Sequence, residues 1–278
     1  MARQTSASFD RLAIKSEGYL GKMDYLKFLG TAGARFVVAK QLRASGGIWL
    51  SFDETNLLID PGPGSLVRCI KARPKLDPTT LSGIVLSHRH LDHSADINVM
   101  MEAMTLGGRE KKGIVLAPAD AVSGNDPVML RYVRSYVDKV EIIKEKGRYR
   151  IGNITIHAPL RHKHGGETYG LIFHGKTRRG KSRTIAYITD TEYFSTICNK
   201  YPADIVIVSV MTDTKKPFQH LCVDDVKEIV KKIKPRLTIL THFGMSMLKA
   251  KPWKVAEDLS LELKRKVIAA EDGMRVDL

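Results

Sequence analysis

Three histidines and one aspartate fall within six residues in the segment His88-Arg89-His90-Leu91-Asp92-His93. Imidazole and carboxylate are the side-chain ligands that suit zinc, manganese or iron. The segment follows the apolar run 83–86, which reads as a strand buried on both faces. On extended chain, residues i and i+2 point to the same side, so His88 and His90 are placed to grip one ion together. Asp92 and His93 come next, where the chain turns towards a helix, and face a second ion. The plain alternative is a polar surface cluster without metal. Four ligand-type side chains at one strand end weigh against it.

A two-metal centre needs ligands from elsewhere, and three polar residues close later apolar strands. His164 lies in Arg161-His162-Lys163-His164-Gly165-Gly166, just before a strand at Tyr169. Asp190 follows Ile185-Ala186-Tyr187-Ile188-Thr189, and His242 follows the strand 237–240. His162 competes with His164 for the same place. Taken singly, each is also readable as a satisfied polar residue in a turn. Two ions about 3.5–4 Å apart share a hydroxide that is nucleophilic near neutral pH. Asp92 is then a candidate to accept its proton and to help protonate a leaving group.

The elements that must position these residues follow one style in both halves of the chain. Strands are expected at 24–29, 47–52, 56–59, 83–86 and 114–116, and again at 151–158, 169–173, 185–188, 205–210, 237–240 and 267–269. Helices are expected at 95–106, ending at Gly107-Gly108, and at 128–137, 224–234 and 255–264. The third carries Val226, Ile229, Val230 and Ile233 on one face and is stopped by Pro235. Two halves, each with a sheet to cover, predict two packed sheets with helices outside. There is no internal repeat and no long Pro/Gly/Ser linker, so residues 1–278 read as a single domain.

Composition narrows the class. Of 278 residues, 43% are hydrophobic and 27% charged, the balance of a globular protein that buries a core. No apolar run approaches the roughly 18–20 residues needed to span a bilayer, so no membrane partner is expected. The start, Met1-Ala2-Arg3-Gln4-Thr5-Ser6-Ala7, has no apolar core behind it, so no secretory signal is expected. Cys69, Cys198 and Cys222 are odd in number and far apart; they imply buried thiols rather than a disulfide framework, and a cytoplasmic protein. The net charge of +15 favours polyanionic ligands, nucleic acid or phosphate esters among them. Lys176, Arg178, Arg179, Lys181 and Arg183 crowd a turn at 175–183, either to grip phosphates or to keep a strand edge soluble.

Taken together, these motifs resemble the metallo-β-lactamase superfamily, over most of the chain from about Leu29 to His242. Its pattern is an Asp after an apolar strand, HxHxDH, a distant His, an Asp and a last His. Here these are Asp60 in Leu57-Leu58-Ile59-Asp60-Pro61-Gly62, then His88, His90, Asp92 and His93, then His164, Asp190 and His242. The resemblance implies an α+β fold: a four-layered αβ/βα sandwich of two mixed β-sheets with outer helices and the site at one sheet edge. It implies that His88, His90 and His164 hold one divalent ion. Asp92, His93 and His242 hold the second, and Asp190 bridges both. Zinc is expected first, with manganese or iron as alternatives. Asp60 is expected to orient the HxHxDH loop. The spacing from His164 to Gly170 resembles that of family phosphodiesterases and favours His164 over His162. Homodimers are common in the superfamily.

Within it, the chain resembles the branch of ribonuclease Z and the cyclic-phosphate phosphodiesterases. The matching stretches are Leu29-Gly30-Thr31-Ala32-Gly33-Ala34-Arg35-Phe36 with Arg43-Ala44-Ser45-Gly46-Gly47, and Gln219-His220-Leu221-Cys222-Val223-Asp224-Asp225. The second makes His220 a candidate general acid. The first bland reading is that this segment merely starts a helix, with Cys222 where a capping serine usually sits. The chain departs from the branch at Ser94-Ala95-Asp96-Ile97-Asn98, which is not glycine-rich, and it lacks a long glycine- and proline-rich arm. A small phosphodiester or nucleotide is therefore the expected substrate, ahead of precursor tRNA. Asp190-Thr191-Glu192-Tyr193 also resembles the superfamily's lactonases, where a tyrosine assists the carbonyl, so a lactone or other carboxylic ester is the alternative substrate. A non-catalytic metal-binding module that meets nucleic acid is the alternative of another class.

Overall fold

The computed structural model describes residues 24–278; the expectation about the first residues lies outside them. The first half forms strands β1 (Tyr25–Phe28), β2 (Ile48–Phe52), β3 (Thr55–Ile59), β4 (Gly83–Val85), β5 (Ile114–Ala117) and β6 (Lys139–Ile142). Between them lie helices α1 (Ala34–Ala39), α2 (Ser65–Lys71), α3 (Leu91–Ser94), α4 (Ile97–Met104) and α5 (Ala119–Val122). The second half forms β7 (Gly147–Ile151), β8 (Ile154–Arg161), β9 (Tyr169–Lys176), β10 (Ser182–Ile188), β11 (Ile205–Ser209), β12 (Leu237–Thr241) and β13 (Val267–Ala269). Its helices are α6 (Val223–Ile233), α7 (Met245–Ala250) and α8 (Pro252–Leu263), and β14 (Arg275–Asp277) returns to the first sheet.

Each sheet has seven strands, ordered β14-β1-β2-β3-β4-β5-β6 and β13-β12-β11-β10-β9-β8-β7. Both are mixed. β3 to β6 are parallel and β14 to β3 antiparallel; β10 to β13 are parallel and β7 to β10 antiparallel. Alternation along the central strands assigns side chains to layers. Leu57 and Ile59 of β3 face Ile205 and Ile207 of β11 in the core between the sheets. Leu58 and Ile84 turn outward onto Ile97, Met100, Met101 and Met104 of α4. Val206 and Val208 turn outward onto Val226, Ile229 and Val230 of α6 and Leu259 of α8. The result is the helix–sheet–sheet–helix order predicted from the sequence. Among the described residues, no helix is long and apolar enough to cross a membrane.

Two expected elements differ. The helix expected at 128–137 is irregular, with a short 3-10 turn at Tyr132–Tyr136. Asn98 takes over the backbone of its start, its Nδ2 donating to the Val128 carbonyl and its Oδ1 accepting from the Leu130 N–H, each at 2.8 Å. The strand expected at 151–158 is a hairpin. Gly152, at φ 53°, reverses the chain so that Ile151 pairs with Ile154.

Candidate metal centre

Five strand ends meet at one edge of the sandwich. β3 ends at Asp60, β4 leads into Ser87-His88, β8 leads into His162 to His164, β10 ends before Asp190 and β12 before His242. These are carboxyl ends of strands that run the same way, the edge at which sheets with parallel strands hold ligands. Asp60 and His242 both take left-handed backbone, at φ 50° and 62°. Such conformations are costly outside glycine and persist where the surroundings over-determine them.

Asp60 is the organiser of the HxHxDH segment. Its Oδ1 accepts from the Ser87 N–H and its Oδ2 from the Ser87 hydroxyl, both at 2.6 Å. The same Oδ2 accepts from His93 Nδ1 and from the Tyr187 hydroxyl, both at 2.9 Å. With this bond held by an Nδ1 proton, the neutral ring would present its Nε2 lone pair to the site. Gly62 lets this loop press against the other end of the segment: a Cβ there would stand 2.0 Å from the Asp92 carbonyl oxygen. The Ser87, Tyr187 and Gly62 contacts were not anticipated. Tyr187 was readable only as an inward position on β10.

The donor atoms form two neighbouring groups. His88, His90 and His164 make one, and Asp92, His93, Asp190 and His242 the other; within each, the ligand atoms lie within 4.8 Å of one another, and by the same measure Asp60 groups with His88 and His93, and His220 with His164 and Asp190. Asp190 stands between them, its Oδ2 at 4.0 Å from His88 Nε2 and 3.8 Å from His164 Nε2 on one side. On the other side it is 3.5 Å from His93 Nε2 and 3.4 Å from His242 Nε2. His88 Nε2 and Asp190 Oδ1 are buried with no hydrogen-bond partner among the described residues. Buried polar atoms without partners are rare and call for an unseen one. Imidazoles and carboxylates converging in this way fit a divalent cation.

His162 and His164, the two competitors, take opposite directions. The Nδ1 of His164 faces the Gln219 carbonyl at 2.9 Å, and its Nε2 faces His90 Nδ1 at 3.0 Å. His162 turns into the core, its Nδ1 3.3 Å from the Asp190 carbonyl and its Nε2 2.7 Å from the Tyr201 hydroxyl. Burial pushes the His162 ring down to about 4, so it is a neutral support for the Asp190 backbone. Gly170 clears the space for this pair: a Cβ there would lie 2.2 Å from the Tyr201 hydroxyl and 2.4 Å from His162 Nε2. The His-to-Gly spacing thus has its physical cause at His162, although His164 is the one in the site.

The electrostatics reflect the crowding. Burial pushes the His88 ring well below its ordinary value, and His93 beside it adds to the effect. Burial also opposes ionisation of Asp92 and Asp190, but neighbouring imidazoles outweigh it and hold both carboxyls below the usual range. For Asp92 the first of these is His93, for Asp190 His242. His93 is raised well above its ordinary value, burial being overcome by Asp92 and Asp190.

His220 enters the site, its Nδ1 3.5 Å from Asp190 Oδ2 and its ring 4.9 Å from that of His164. Burial pushes this ring to about 4. It also precedes α6, where the Cys222 N–H donates to Asp225 Oδ2 at 3.0 Å, so the segment starts a helix and reaches the site at once. Tyr193 does not reach the site: its hydroxyl lies 3.7 Å from Cys198 Sγ. Arg89, between the ligands, pairs with Asp120 at 3.3 Å and bonds the Asp126 carbonyl at 3.1 Å, which ties the segment to α5. Leu91 is exposed. The basic turn belongs to the far end of β9 and β10, roughly 20 Å from Asp190 by strand rise. There Arg178 pairs with Glu54 at 2.8 Å.

The chain matches the family described as Beta-lactamase superfamily domain over residues 55–243. It is 29% identical over 258 residues to the uncharacterized protein MJ1374 of Methanocaldococcus jannaschii, covering 90% of this chain and 94% of that one. Similar solved structures include the metallo-beta-lactamase fold protein YhfI of Bacillus subtilis, with TM-score 0.73, 18% identity and coverage of 92% and 100%. A diphosphatase from the PhnP family gives TM-score 0.65 at 18% identity, covering 92% and 97%. The short form of human tRNase Z gives TM-score 0.63 at 17% identity, covering 91% and 98%.

Proposed function

The chain belongs to the β-lactamase superfamily of metal-dependent hydrolases, and we propose that it falls on the ribonuclease Z side of that superfamily and is a binuclear phosphodiesterase for a small phosphodiester or nucleotide. The observation that carries this reading is the placement of His220 against Asp190 at 3.5 Å, beside the seven residues that the family pattern gives as metal ligands. An imidazole beside the metal ligands is placed to hydrogen-bond a leaving oxygen and to pass it a proton as negative charge develops there. The +15 charge and the resemblance in fold to a diphosphatase and a tRNase Z support an anionic substrate. The lactone reading depends on Tyr193, whose hydroxyl is turned to Cys198.

In this reading His88, His90 and His164 hold one divalent ion, Asp92, His93 and His242 the other, and Asp190 lies between them. Zinc suits the donor set best. Bound ions supply an electrophile for the phosphoryl oxygens and lower the pKa of water. Asp60 keeps His93 in the tautomer that presents Nε2. Asp92, half-buried at the mouth, accepts the proton of the attacking water. His220 holds and protonates the leaving-group oxygen. The test is to offer the metal-loaded protein bis-p-nitrophenyl phosphate beside an acyl-homoserine lactone. Diester turnover is expected; lactone turnover without diesterase activity would overturn the reading.

A further inference from the structure

Leu26 and Phe28 of β1 face the core between the sheets, so Lys27, between them, points to the outer face. There it is 7% exposed. Its ammonium reaches the Arg73 carbonyl at 3.5 Å and, among the described residues, no carboxylate within ion-pair distance. Arg275 of β14 stands directly opposite Lys27 in the strand register. Like charges directly opposite on paired strands are destabilising. The Arg275 Nε bonds Asp277 at 2.7 Å and the guanidinium lies over the Tyr25 ring, yet its Nη2 is buried without a partner. Buried cations are ordinarily paired.

Beside Lys27 opens a cavity of about 280 Å³. Lys27, Arg68, Lys71 and Arg73 line it, and no acidic residue does. Arg68 and Lys71 sit in the last turn of α2, where cations complement the exposed carbonyls. That accounts for two of the four. Arg73 already bonds the carbonyls of Lys71 and Ala72, at 3.4 and 3.0 Å, and Lys27 comes from a strand below. What the four share is one cleft, which they line with Leu29, Ala72 and Gly273. Its volume is below that of a drug-sized pocket and suits a small anion or one segment of a larger one.

We propose that this cleft is a second anion site, distinct from the metal centre, that takes a phosphate group between Lys27 and Arg68 with Lys71 and Arg73 at the rim. Lys27 lies four residues along the chain from Thr31, which lines the small cavity beside Asp92 and His242. The phosphate is either a free phosphate compound or part of a nucleic-acid backbone.

The test titrates the metal-loaded full chain by calorimetry with pyrophosphate and, separately, with a single-stranded oligonucleotide. Lys27→Met and the double variant Arg68→Gln with Arg73→Gln are compared with the parent. Binding of at least one probe is expected to weaken tenfold or more in both variants, while turnover of bis-p-nitrophenyl phosphate is unchanged. Loss confined to pyrophosphate identifies a free phosphate compound; loss confined to the oligonucleotide identifies the backbone. The double variant keeps the buried lysine, so it tests the cleft even where Lys27→Met folds poorly. His88→Ala, which alters only the metal centre, is expected to retain the variant-sensitive binding. Equal affinity for both probes in the folded double variant and the parent overturns the site. Failure of the parent to cleave diesters, with this binding intact, would sink the phosphodiesterase reading and leave the cleft standing.

Discussion

The Nδ1 of His93 donates to Oδ2 of Asp60 at 2.9 Å, while the other oxygen of the same carboxylate accepts from the Ser87 N–H at 2.6 Å. One side chain therefore ties both ends of the segment that carries four of the proposed ligands. Partners of this kind set ligand tautomer and ring orientation. Asp60→Ala is expected to weaken metal binding about 10- to 100-fold, read by competition with a chromogenic chelator. Parent-like affinity in the folded variant would show that the segment holds its shape without Asp60.

His162 and His164 separate metal binding from support. His164→Ala is expected to lose metal. His162→Ala is expected to keep it but to unfold more easily, by about 1–3 kcal/mol, because the Tyr201 hydroxyl is left buried without a partner. Elemental analysis and urea unfolding read the two effects. Loss of metal in His162→Ala alone would reverse the assignment.

Asp190 stands between both donor groups, within 4.0 Å of His88 and 3.4 Å of His242. Asp190→Ala is expected to bind fewer than two metal equivalents. Two full equivalents would contradict its bridging place.

His220 is proposed to act on the leaving group rather than to hold metal. His220→Ala should retain bound metal and slow diesters with poor leaving groups, by about 100-fold or more, while p-nitrophenyl esters are affected less. Equal rates across leaving groups would leave His220 a structural residue.

The Cys69 thiol lies on the buried face of α2, and burial, with Asp96 nearby, pushes it up to about 12 from an ordinary 9.0. Because the folded-state value is the higher one, the folded chain keeps a proton that the unfolded chain releases. The contribution is complete below pH 9 and is lost as pH rises towards 12. The urea midpoint of the parent should therefore fall more steeply between pH 9 and 11 than that of Cys69→Ala. Parallel slopes would refute this.

Much of the fold was legible because burial imposes period. β4 and β11 are apolar but for Ser209 at the end of β11, being covered on both faces, and α6 shows one apolar stripe against its sheet. The exceptions arose where a side chain or a glycine replaced the backbone pattern. Asn98 satisfies the start of the segment expected as a helix at 128–137, and Gly152 breaks the strand expected at 151–158. Short elements without a stripe, α1, α2 and α7, gave no period to detect.

The sequence by itself made the candidate donors legible: HxHxDH at a strand end, with Asp190 and His242 closing other apolar strands and Asp60 placed to orient the segment. Residue type and strand-end position settle that much, because a carboxyl strand end faces one edge of the sandwich. Tertiary structure alone decided between His162 and His164. Their directions depend on a carbonyl 55 residues away, that of Gln219, and on the Tyr201 hydroxyl, neither of which is encoded in local spacing. It alone brought His220 to Asp190 and turned Tyr193 to Cys198. It also set Lys27 across from Arg275, two cations 248 positions apart in the chain that meet only when β14 pairs with β1.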